Sequence, residues 1–84
     1  MDISRGSLIY SKAGRDKGKL FIVLAAENDF VYIADGDTRR VLKPKKKRIK
    51  HIISINRVLE LDFENVSDSS LRKALSDFRA IVGR

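Results

Sequence analysis

Two glycines, Gly14 and Gly18, bracket a cationic segment, Ser11-Lys12-Ala13-Gly14-Arg15-Asp16-Lys17-Gly18-Lys19, that stands between two apolar runs. Glycine adopts positive φ at little steric cost, so this segment can reverse sharply while Arg15 and Lys17 point into solvent. Before it, Leu8 and Tyr10 alternate with Ser7, Ile9 and Ser11; after it, Leu20, Ile22 and Leu24 alternate with Phe21 and Val23. A period of two is that of extended chain. The start of the chain is therefore committed to strand, turn and strand. The second strand is apolar on both faces and belongs in the middle of a sheet.

The remainder supplies partners for that pair. Glu27-Asn28-Asp29 suits a reverse turn, and Phe30 to Ala34, aromatic and β-branched, suits a third strand. Asp35-Gly36-Asp37 carries the Asp-Gly signal of a tight hairpin, which predicts a fourth strand over Arg39 to Leu42, paired with the third and ending before Pro44. Lys45-Lys46-Lys47-Arg48 cannot be buried, because four adjacent like charges need solvent or anions; it is a loop or an edge. His51 to Ile55 predicts a short fifth strand that lets the sheet close and hide its edges. The fold class is mostly β, a small five-stranded barrel of the SH3-like kind. Arg57 to Phe63 alternates loosely and fits either extended chain or a turn of helix. From Ser67 the period changes: Leu71, Ala74, Leu75, Phe78, Ile81 and Val82 share one face of a helix over about 69–82. Ser67 or Asp68 can cap its first turn, and Gly83 stands where a helix end favours glycine. So short a helix is marginal alone and must dock on the barrel or on another protein.

A chain of 84 residues is a single domain with a thin core. A barrel over 1–57 and a C-terminal extension over 58–84 leave little room for a buried catalytic pocket. Without cysteine it has no disulfide and no thiolate metal site. The N-terminal residues show no signal-peptide pattern, and the longest apolar run, Leu20 to Ala26, is too short to span a bilayer, so the expectation is a cytoplasmic protein without a membrane partner.

The net charge of +7 is unevenly placed: residues 1–57 hold fourteen basic and six acidic side chains, whereas residues 58–84 hold four and five. Between Arg39 and Lys50 lie eight cations (Arg39, Arg40, Lys43, Lys45, Lys46, Lys47, Arg48 and Lys50) and no acid. Together with Lys12, Arg15, Lys17 and Lys19 of the glycine-bracketed turn, they form two cationic tracts on one small sheet. Such tracts suit a polyphosphate, because neutralising phosphates releases condensed counterions. The arginines can fork onto phosphate oxygens, whereas the lysines act as point charges. A merely solvated charged face is the competing reading for either tract alone.

Other chemistry is poorly served. Asp16 reads as a residue bonded to the backbone of its own turn, and Asp35 and Asp37 as turn residues, so no catalytic carboxylate pair is expected. His51 is the only histidine, and nothing completes a metal site around it. Gly14 to Lys19 is too short for a nucleotide-hydrolysis loop and ends in Leu20 where a hydroxyl is required. No catalytic residue, cofactor or metal is predicted. Among the aromatics, Tyr10, Phe21, Phe30 and Tyr32 suit core packing first, and Tyr32 or Phe21 would be the base-stacking surface if one is exposed.

Taken together, Gly6, Tyr10-Ser11-Lys12, Gly14-Arg15-Asp16-Lys17-Gly18-Lys19 and Phe21-Ile22-Val23-Leu24 resemble the KOW motif, a strand, turn and strand of small barrels in large-subunit ribosomal proteins and bacterial transcription elongation factors. The likeness is to the archaeal and eukaryotic ribosomal form, with its Gly-Arg-Asp-x-Gly-Lys turn, a second basic tract ending in Lys-His and a short C-terminal helix. Lys45 to His51 and the helical pattern after Ser67-Asp68 match in the same order, so the resemblance covers nearly the whole chain. Phe21 departs from the bacterial versions, which usually have glycine there. The resemblance implies a non-enzymatic RNA-binding module whose partner is ribosomal or other structured RNA. Its contacts would be Lys12, Arg15, Lys17, Lys19, Arg39, Arg40, Lys43, Lys45, Lys46, Lys47, Arg48, Lys50 and His51. The alternatives are a protein-interaction module acting through the C-terminal helix and a transcription-associated nucleic-acid-binding barrel.

Overall fold

The computed structural model describes residues 3–82. Five antiparallel strands form one sheet: β1 (Ser7–Ser11), β2 (Leu20–Glu27), β3 (Phe30–Ala34), β4 (Lys45–Arg48) and β5 (Ile52–Val58), in the order β4-β3-β2-β1-β5. A single helix, α1 (Asp68–Val82), follows. A 3₁₀ turn, Ile49–His51, carries the chain from one edge strand to the other and gives the sheet its small, barrel-like form.

The doubly apolar β2 lies at the centre, as its pattern predicts. Leu8, Ile9 and Tyr10 of β1 stand opposite Ile22, Phe21 and Leu20. The hairpin from β2 to β3 closes over Asn28 and Asp29 with Glu27 opposite Phe30, and Asn28 takes φ 51°, the left-handed conformation a two-residue turn requires. A register shift between Val23 and Ala25 bends β2, and another interrupts β1 against β5 between Ser7 and Ile9. Such irregularities let a short sheet curl.

Both faces of the central strands are covered. Ile9, Phe21, Val23, Val31, Ile33 and Ile52 form the inner core. On the other face Leu8, Leu20, Ile22 and Ala34 meet Leu71, Leu75 and Phe78 of α1, with Leu59, Leu61, Phe63 and Val66 packed around them. The row Leu71, Leu75 and Phe78, which an exposed helix would offer to a partner protein, is thus buried within this chain. The stretch before the helix resolves into β5 as far as Val58, then irregular chain whose apolar residues lie on the helix side of the sheet.

α1 matches its predicted span. Ser67 caps it: its Oγ accepts the Ser70 N–H at 3.1 Å, while the Ser67 N–H donates to Ser70 Oγ at 2.9 Å. Asp68 instead turns to the barrel, where its Oδ1 accepts the Val41 N–H at 2.8 Å. The proposed terminal glycine, Gly83, lies outside the described residues.

The fourth strand is a correction. It is not Arg39 to Leu42 but Lys45–Arg48, beyond Pro44, and Asp35-Gly36-Asp37 does not form a tight hairpin. The Asp35 carboxylate accepts the N–H groups of Asp37 and Arg39 and the Thr38 hydroxyl at 2.8–2.9 Å, which curls the chain upon itself and delays the return. The basic run can then pair with β3 because it is an edge, with Lys45, Lys46 and Arg48 exposed and Lys47 half-buried.

Candidate nucleic-acid interface

The glycine-bracketed turn is built as a compact scaffold. Gly14 and Gly18 take φ of 77° and 83°. Gly14–Asp16 form one 3₁₀ turn, and the Gly18 N–H returns to the Ser11 carbonyl at 2.8 Å. Lys12, Arg15, Lys17 and Lys19 are all exposed. Asp16, by contrast, is only 3% exposed. Its Oδ2 accepts hydrogen bonds from Nε and Nη2 of Arg39 at 3.0 and 2.8 Å. The expectation that Asp16 bonds the backbone of its own turn therefore gives way to a longer-range role: it ties the turn to the loop between β3 and β4.

A second tie comes from β4. Half-buried Lys47 donates from Nζ to the Ala13 carbonyl at 2.8 Å. A third comes from the 3₁₀ turn before β5, where the His51 carbonyl accepts the Lys12 N–H at 2.8 Å, leaving the His51 ring and Lys50 exposed beside it. Segments far apart in sequence thus converge on residues 12–16. Arg39 and Lys47 hold this rim together, and Lys12, Arg15, Lys17 and His51 are presented on it, whereas Lys50 lines a separate depression with Asp29, Arg48 and Ile49. Among the described residues Lys12, Arg15 and Lys17 form no ion pair.

The other cations are placed elsewhere. Lys46 Nζ lies 4.3 Å and Arg48 Cζ 5.5 Å from the centroid of Phe30, so these two cover that ring. Arg40 reaches Asp68 at 3.7 Å, at the start of α1. Lys43 follows Leu42, which is 93% exposed at the tip of the loop. Lys45 stands opposite Ile33 on the edge strand. Lys19 lines a polar depression with Asp35, Asp37, Thr38 and Arg79.

α1 braces this loop from behind. Besides the bond from Val41 to Asp68, Arg72 Nη1 donates to the Gly36 carbonyl at 2.6 Å. Burial alone would raise the Asp35 carboxyl, but the N–H groups of Arg39 and Asp37 and the Thr38 hydroxyl outweigh it and hold the group below its ordinary value. Sequence reasoning missed Asp16, Asp68 and Arg72 as struts. Only the first left a local signal, a lone acid among the cations of a tight turn.

Comparison with known proteins finds no family model and no curated protein that matches this chain.

Core packing, the first expectation for the aromatic residues, holds for Phe21 and in part for Tyr10. Phe21 is fully buried and offers no stacking face, and Tyr32 is half-buried on β3. Tyr10 packs against the helix-side cluster but is only half-buried and also reaches the rim, where it borders two separate depressions. Among the described residues no group of three His, Cys, Asp or Glu side chains is placed to hold a metal ion, and no helix is long and apolar enough to cross a membrane.

Proposed function

We propose that this chain is a non-enzymatic RNA-binding module of the KOW kind that docks on structured RNA in the cytoplasm, with ribosomal RNA the class its sequence resemblance implies. The supporting observation is the convergence at residues 12–16: the Asp16–Arg39 pair and the Lys47–Ala13 bond join two cationic tracts and leave Lys12, Arg15 and Lys17 exposed and, among the described residues, unpaired. A charged surface serving only solubility needs no such ties. In this reading the turn enters a groove or junction while Lys50, His51 and the outer cations meet neighbouring phosphates.

The test is RNA affinity measured against salt. A log–log slope of roughly −0.7 to −0.9 per phosphate contact is expected, hence a total of several units. Arg15→Glu with Lys17→Glu should flatten that slope and weaken binding, with a stability change within about 0.5 kcal/mol because both side chains are exposed. A salt-independent affinity, or an unaltered affinity in the double variant, overturns the proposal. Competition between duplex DNA and structured RNA of equal charge separates it from a transcription-associated DNA-binding barrel.

A further inference from the structure

Beside the basic turn lies a shallow apolar slot of about 550 Å³, lined by Tyr10, Ser11, Lys12, Lys17, Gly18 and Ile53. Its floor comes from two adjacent strands: Tyr10 of β1 is the register partner of Ile53 on β5. Ile53 is half exposed although it is a large aliphatic residue on a strand. On the turn side, the backbone of Gly18 leaves the slot open, with no atom within 4 Å of where a Cβ would stand. The charged boundary is cationic, Lys12 and Lys17, the Ser11 hydroxyl is committed to the Ala13 carbonyl, and no carboxylate lines the slot.

We infer that this slot receives one unpaired nucleobase of the bound RNA, stacked on the Tyr10 ring and against Ile53, with its flanking phosphates held by Lys12 and Lys17. The inference rests on the RNA-binding reading above and makes it more specific: the preferred ligand is an RNA with a bulged or looped-out base, not a continuous duplex. Bases in a duplex are stacked on one another, whereas an unpaired base exposes a π-face that an aromatic side chain can take up. Apolar walls between two ammonium groups suit a flat base on a polyanionic chain. The polar depression on the other side of Tyr10 sets Asp35 and Asp37 against Lys19 and Arg79, so its charges offset one another and it offers phosphate no net cationic wall. That asymmetry directs the strand to the Lys12 and Lys17 side.

The test compares two RNA hairpins of equal nucleotide number, one fully paired in its stem and one with a single purine bulge replaced by fluorescent 2-aminopurine, titrated with the full chain at fixed salt. The bulged hairpin should bind about five- to tenfold more tightly, within what one base stacked on an aromatic ring contributes. Its 2-aminopurine emission should be quenched on binding. Tyr10→Leu, which keeps apolar volume but removes the ring, and Ile53→Ala should each bring the ratio of bulged to paired affinity close to one. The wild-type comparison decides the matter even if Tyr10→Leu fails to fold. Equal affinity for both hairpins with a steep salt dependence overturns the slot and leaves the basic rim standing; no binding to either overturns both.

Discussion

Asp16 is the only acid in a turn that carries Lys12, Arg15, Lys17 and Lys19, and it is the one charged side chain of that turn withdrawn from water. Sequence reasoning located the cations on the turn but not this acid's partner, because Arg39 lies 23 positions away and no local pattern joins them. Asp16→Ala should therefore do two things. It removes a charge-assisted pair that contributes about 1–2 kcal/mol, a buried-pair magnitude reduced because the Arg39 side chain is 30% exposed. It also raises the net charge from +7 by one, since a single acid is lost. If total charge governed RNA affinity, the variant would bind more tightly. A rim held in shape by the pair predicts several-fold weaker binding despite the added charge. Denaturant melts and RNA titrations on the same preparation read both effects, and tighter binding would show that the pair has no part in the site.

At the level of elements, the strands on either side of the basic turn and the helix were legible, since period two and period 3.6 each persisted long enough to be unambiguous. The connection from β3 to β4 was not. Asp-Gly signals a hairpin only when neighbouring side chains do not compete for the backbone, and here the Asp35 carboxylate takes two of its N–H groups. Nor does a run such as Lys45–Arg48 announce a strand, because what permits it is its edge position and the Phe30 ring beneath Lys46 and Arg48. The loop so formed is seated on the helix start, and the glycines show where. Gly18 and Gly36 have similar φ, 83° and 79°, but a Cβ on Gly18 would meet open space, whereas one on Gly36 would run into the Asp68 carbonyl. Gly18→Ala should cost only the left-handed penalty, about 1–2 kcal/mol. Gly36→Ala should cost a further ~1–3 kcal/mol of overpacking, since a carbonyl at a helix start cannot yield as a side-chain tip can. Equal losses in urea melts would mean that loop and helix are not pressed together.

For the molecule as a whole, the consequence of a sheet covered on both faces is that barrel and helix share one core. A chain of 84 residues has little apolar surface to spare, and the helix-facing cluster includes Leu8, Leu20 and Ile22 from the central strands as well as Leu71, Leu75 and Phe78. The helix is thus a structural half of the barrel, and through Asp68 and Arg72 it also holds the loop that supplies Arg39 to the rim. Leu75 is 1% exposed, so Leu75→Ala should cost about 2–5 kcal/mol, a large part of the stability of a small domain. The melting temperature should fall by about 10 °C or more. Cooperativity gives the sharper criterion. The two tyrosines, Tyr10 and Tyr32, lie in β1 and β3, so tyrosine fluorescence follows the sheet, whereas helical circular dichroism follows α1. A shared core requires both signals to change in one coincident transition, in the wild type and, at lower temperature, in Leu75→Ala. A helix signal lost well before the tyrosine signal would make α1 a separable appendage, and bracing of the basic loop by the helix would fall with it.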